Sequence, residues 1–121
     1  MTIRGVDYIY YEVSDVAKST AFYRDTLGMK IGYEVDNGGW VEFDLGNLTL
    51  GIGSYGQGTT PGGTMAALAV EDVTAALEEL KTKGVPVVMG PENFGICTMG
   101  VITDPDGNKL MLHQRSDGTV G

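Results

Sequence analysis

His113 is the single histidine of this 121-residue chain, and Cys97 is its single cysteine. Histidine is the one side chain whose ordinary pKa lies near neutrality, so His113 is the candidate general base. The bland alternative is an exposed polar residue at a strand end. If segments 98–103 and 108–113 pair as a simple hairpin, His113 stands opposite Thr98 and near Cys97. That neighbourhood permits a Cys–His nucleophilic pair. No Asp or Asn is visible in the sequence to orient the imidazole, and a small cysteine more often serves as a buried hydrophobe. One Cys excludes an internal disulfide, and one His excludes a His-rich metal site.

Two other patterns imitate chemistry. Gly51-Ile52-Gly53-Ser54-Tyr55-Gly56 spells G-x-G-x-x-G, but a dinucleotide site needs a helix immediately after it, and 57–63 cannot start one. Asp104-Pro105-Asp106-Gly107-Asn108 has the residue types of a calcium loop. Its Gly is misplaced and no closing Glu follows, so it reads as a turn.

The elements that must position these residues come in two copies. Tyr8–Val13 alternates as a strand, with Tyr8, Tyr10 and Glu12 on one face and Ile9, Tyr11 and Val13 on the other. A helix follows from about Asp15 to Leu27, with Ser14 or Asp15 as its N-cap, Gly28 as its stop and Val16, Thr20, Phe22, Tyr23 and Leu27 on its buried side. Met29–Val35, Trp40–Leu45 and Leu48–Ile52 are strands. The second copy has a strand at Met65–Val70, a helix at Val73–Lys83 capped by Asp72, and strands at Val85–Met89, Thr98–Thr103 and Lys109–Gln114. Pro86 marks the first of these three as an edge. Residues 115–121 read as a frayed tail.

Each half is thus β-α-β-β-β. Four strands and one helix cannot bury both faces of a sheet. The expected fold is α+β: two tandem modules forming a curved mixed sheet of about eight strands, with helices on the convex face. A single domain is expected, with module one at about 5–53, a glycine-rich linker at 53–63 and module two at about 64–114.

Hydrophobic residues make up 42% of the chain and charged residues 20%, as in a globular protein. A net charge of −8 disfavours nucleic acid and anionic membranes. No apolar run spans a bilayer, and the N-terminus lacks a signal-peptide pattern, so a cytoplasmic location is the expectation.

The segments DYIYYEVSDVAKSTAFYRDTLG (7–28), AVEDV (69–73) and DPDGNKLML (104–112) resemble the vicinal oxygen chelate superfamily. That group contains glyoxalase I, bleomycin resistance proteins and extradiol dioxygenases. The resemblance covers nearly the whole chain and implies paired β-α-β-β-β modules, a homodimer and a small-molecule cavity. Metal-dependent members hold a divalent cation with His, Glu or Gln at four strand positions. By resemblance these fall on Tyr8, Gly51, Met65 and Met111, with Leu50 or Thr49 in place of Gly51 if the register slips. None is a suitable donor for Mg, Mn, Ni, Zn or Fe(II), so no metal and no other cofactor is expected.

The expected inward set is Tyr8, Tyr10, Glu12, Trp40, Glu42, Gly51, Met65, Ala67, Ala69, Met111 and His113. The ligand-binding candidates among them are Tyr8, Tyr10, Glu12, Trp40, Glu42, Met65, Met111 and His113. Aromatic rings can stack on a planar ligand, methionine adapts to irregular shapes, and Glu12 and Glu42 can attract a cation. The expected function is metal-free binding of a planar or cationic compound, in the manner of the bleomycin resistance proteins. Two alternatives stand beside it. One is a glyoxalase-like metal-dependent lyase or isomerase using Glu12, Glu42 and His113. The other is a structural dimer whose inner face is filled.

Overall fold

The computed structural model describes residues 1–35, 37–56, 60, 62–105 and 107–121. Asp36, the linker residues Gln57, Gly58, Thr59 and Pro61, and Asp106 of the expected turn at 104–108 lie outside the described residues. The β-α-β-β-β order is present twice. The first copy is β1 Gly5–Glu12, α1 Val16–Ala21, β2 Lys30–Glu34, β3 Trp40–Asp44 and β4 Thr49–Gly53. The second is β5 Thr64–Ala69, α2 Val73–Thr82, β6 Val87–Asn93, β7 Cys97–Thr103 and β8 Lys109–Arg115. The protein is α+β, with parallel and antiparallel pairs mixed. Its contacts divide it into two compact units, Tyr8–Met65 and Met1–Asp7 with Ala66–Gly121.

In the unit Tyr8–Met65 the strand order is β2-β3-β4-β1. β3 runs antiparallel to β2 and β4, while β1 lies parallel to β4. The Asp15 carboxylate caps α1 by accepting from the Lys18 N–H at 3.0 Å. Val16 packs on Val41, Phe43, Leu50 and Ile52, and Ile9 of β1 and Val13 just after it join this core.

The expected helix of Asp15–Leu27 is α-helical only to Ala21, and Phe22–Thr26 form a π-helical turn. A π turn holds an extra residue, so side chains beyond it leave the α-helical stripe. Phe22 and Leu27, expected to be buried, are 48% and 52% exposed. Gly28, at φ +72°, ends the run as the expected left-handed stop.

The other unit repeats the plan as β5-β8-β7-β6, with β5 parallel to β8 and β7 antiparallel to both neighbours. Asp72 caps α2 by accepting from the Ala75 N–H at 3.0 Å. Val73, Ala76, Leu77 and Leu80 then bury against Val70, Ile102 and Leu112. β6 is an edge strand, as Pro86 suggests, but it begins at Val87 and continues to Asn93.

Two expectations fail here. The β7–β8 hairpin pairs His113 with Met99, and Thr98 with Gln114. Asn108 is held inside the turn, where its N–H donates to Asp104 Oδ1 at 2.8 Å, so the ladder starts at Lys109. The shift of one residue changes which side chains share a face. The tail is also tied down. Arg4 donates to the Gly118 carbonyl at 2.8 Å, Arg115 to the Gly121 carbonyl at 2.9 Å, and the Gly121 N–H to Asp7 Oδ1 at 3.0 Å. No helix among the described residues is long and apolar enough to cross a membrane.

Candidate functional site

β1 carries Tyr8, Tyr10 and Glu12 on the face turned away from α1. The register sets Tyr10 beside Gly51 and Glu12 beside Gly53 on β4, which in turn face Glu42 and Trp40 on β3. Glycine on the middle strand leaves room for a ring. The Trp40 indole stacks on Tyr10, with centroids 5.1 Å apart and planes at 11°, and meets Tyr8 edge-on at 5.8 Å. A Cβ on Gly53 would lie 2.8 Å from Trp40 Cε3, and one on Gly51 would lie 3.4 Å from Trp40 Cζ2.

The polar atoms of this face are committed to neighbours. Trp40 Nε1–H donates to Glu42 Oε2 at 2.7 Å. The Tyr10 hydroxyl donates to Glu12 Oε1, which also accepts from the Gly56 N–H at 3.0 Å. Burial and the adjacent Glu12 carboxylate push Tyr10 ionisation far above the ordinary phenol range. Tyr8, Tyr10 and Glu12 are buried, whereas Trp40 and Glu42 are only half-buried. Of the expected ligand-binding residues, the unit Tyr8–Met65 therefore brings five together: Tyr8, Tyr10, Glu12, Trp40 and Glu42. Met65 is buried on β5.

The same unit has an open groove of about 310 Å³ that is not legible in the sequence. Tyr11, Val13, Ser14, Ser19 and Tyr23 line it beside Glu12 and Gly62-Gly63. Its residues come from a strand and the loop after it, from a helix and its π turn, and from the linker, and no periodic pattern connects them.

Met111 and His113 lie on one face of β8, away from α2, between Ala67 and Ala69 of β5 and Val101 and Met99 of β7. Both are buried, at 1% and 5% exposure. His113 Nδ1 is 2.5 Å from Asp7 Oδ2, and Arg115 is 3.8 Å from the other carboxylate oxygen. The Cys97 thiol hydrogen-bonds the same imidazole. Burial works against a charged ring, but Asp7 and then Cys97 outweigh it and push His113 up to about 8. Burial likewise opposes the Asp7 carboxylate, and the His113 and Gly121 hydrogen bonds overcome it and lower its pKa. The expectation that His113 lacks an orienting carboxylate is thereby corrected. Asp7 is 106 residues away in the chain, and only the folding of this unit makes the two neighbours.

The metal set that the resemblance implies does not fit these residues. At Gly51 there is no donor, and a Cβ placed there would stand 3.4 Å from the Trp40 ring and 3.6 Å from the Tyr8 ring. Met111 offers a thioether, a poor partner for hard divalent ions. Among the described residues no three His, Cys, Asp or Glu side chains converge on a position that could hold a metal ion.

Comparison with known proteins agrees with this architecture. The family model for the Glyoxalase/Bleomycin resistance protein/Dioxygenase superfamily matches residues 5–112. A probable lactoylglutathione lyase of Synechocystis is 32% identical, over 86% of this chain and 90% of its own. A lactoylglutathione lyase of Haemophilus influenzae is 30% identical, over 81% and 83%. Among solved structures, a methylmalonyl-CoA epimerase of Streptomyces coelicolor superposes with a TM-score of 0.73 at 17% identity, covering 99% of this chain and 100% of that one. A superfamily member from Vibrio splendidus superposes with a TM-score of 0.67 at 17% identity, over 93% and 99%. At these identities the structural likeness speaks for the fold alone.

Proposed function

The chain belongs to the Glyoxalase/Bleomycin resistance protein/Dioxygenase superfamily, and we propose that Tyr8, Gly51, Met65 and Met111 occupy its metal-ligand positions and that the chain binds a small molecule without a metal. The ligand class is a planar or cationic compound. The observation that carries this reading is the Trp40 indole lying across Gly51 and Gly53, over the place near Gly51 where the resemblance puts one metal ligand. The half-buried indole offers a stacking plane, and the half-buried Glu42 carboxylate beside it offers a counter-charge. Tyr8 and Tyr10 back the indole and hold its plane. Met65, Met111 and His113 are too buried to be the first contacts, so the proposal gives that role to Trp40 and Glu42.

Trp40 is the sole tryptophan, so its fluorescence reports binding directly. Titration with planar acridinium and phenanthridinium cations is expected to quench it saturably. Glu42→Gln should weaken binding by about 1 kcal/mol, roughly fivefold in Kd. An emission that responds to none of these compounds, or a Glu42→Gln affinity equal to wild type, sinks the reading. The proposal includes a homodimer, for which light scattering should give twice the 12.8 kDa chain mass.

The names of the relatives favour a second reading, a metal-dependent lyase acting on lactoylglutathione. It would require Glu12, Glu42 and His113 to abandon Tyr10, Trp40 and Asp7. Elemental analysis, followed by assay with lactoylglutathione after adding Ni, Zn or Mn, separates the two. A stoichiometric metal with restored turnover would establish the lyase.

A further inference from the structure

The β7–β8 register puts Cys97 across from Arg115 and two residues before Met99, the partner of His113, so Cys97 and His113 share a face. The thiol hydrogen-bonds the imidazole, and the imidazole meets Asp7 at 2.5 Å. The order is nucleophile, proton carrier, orienting carboxylate, which is the arrangement that activates a thiol. These three side chains make no metal-holding group; they form a chain of contacts and not a chelate. Asp7 is fully buried, whereas Cys97 retains partial exposure. The relay therefore runs from a sheltered carboxylate to a half-buried cysteine.

We propose that Cys97, His113 and Asp7 form a nucleophilic site for α,β-unsaturated carbonyl compounds. The Cys97 thiolate attacks the β-carbon and a C–S bond forms. The C=C π pair moves onto the carbonyl as an enolate, which takes the proton from the His113 imidazolium. The product is a thioether and a neutral imidazole, and the ring regains its proton from water. Nothing is oxidised and no group leaves. That economy selects the substrate class: the site supplies one soft nucleophile and one proton, which is what conjugate addition consumes. Phe94 and Ile96, 57% and 64% exposed on the turn leading into Cys97, offer apolar surface for a carbon skeleton.

The probe is N-ethylmaleimide, and the readout is intact mass with one possible thiol. Wild type at neutral pH is expected to react roughly tenfold faster than glutathione, the benchmark for an unassisted thiol. His113→Gln should react at the glutathione rate while keeping its folded circular dichroism. A wild-type rate no greater than that of glutathione, or a His113→Gln rate equal to that of wild type, overturns the proposal. The wild-type comparison needs no variant, so a destabilised mutant cannot obscure it.

Discussion

Trp40 and Glu42 stand two apart on one strand, so their shared face can be read from alternation alone. The indole N–H reaching the carboxylate at 2.7 Å is a local consequence of that spacing. What alternation cannot reveal is that the ring lies flat over the neighbouring strand. That arrangement depends on Gly51 and Gly53, whose lack of side chains reads in the sequence only as weak strand preference. Gly53→Ala would put a methyl 2.8 Å from Trp40 and 3.1 Å from the Tyr10 hydroxyl. Overpacking of this kind costs about 1–3 kcal/mol. The expected result is a lower urea midpoint together with red-shifted Trp40 emission as the ring is displaced toward solvent. An unchanged emission maximum would mean that the ring does not depend on that glycine.

At the level of elements, the two repeats start their helices with the same device. An Asp follows the strand and accepts the N–H three residues on, Asp15 from Lys18 and Asp72 from Ala75. Both caps are legible in the sequence because N-capping is a local interaction. Asp72→Ala should cost about 1 kcal/mol, measured as a shift in urea midpoint at constant slope. A cost near zero would show that α2 is held by its packing on Val70, Ile102 and Leu112 alone. The π turn after Ala21 and the register of the β7–β8 hairpin are not legible. Both depend on one residue more or less per turn, a difference that residue preferences do not resolve.

For the whole molecule, the Asp7–His113 pair makes stability depend on pH. His113 is raised from 6.5 to about 8, so its contribution is complete below about pH 6.5 and is lost as pH rises through about 8. A shift of that size corresponds to about 2 kcal/mol. Asp7 is lowered from 3.8, so its contribution is present above that value and is lost as pH falls through its lowered folded pKa. The melting temperature should therefore be highest in mildly acidic buffer and decline toward pH 9. Asp7→Asn should remove most of the alkaline decline, and a decline of equal size in that variant would assign it to other groups. The amino-acid pattern suffices for the doubled β-α-β-β-β order, the helix caps and the edge character of the strand after Pro86. These follow from short-range periodicity and from residue type. The Asp7–His113 pair, the placement of Cys97 on the same face as His113, and the indole over Gly51 and Gly53 require the folded chain. Each joins residues on different strands, and strand register is set by the packing of whole sheets, not by the neighbours of any one residue.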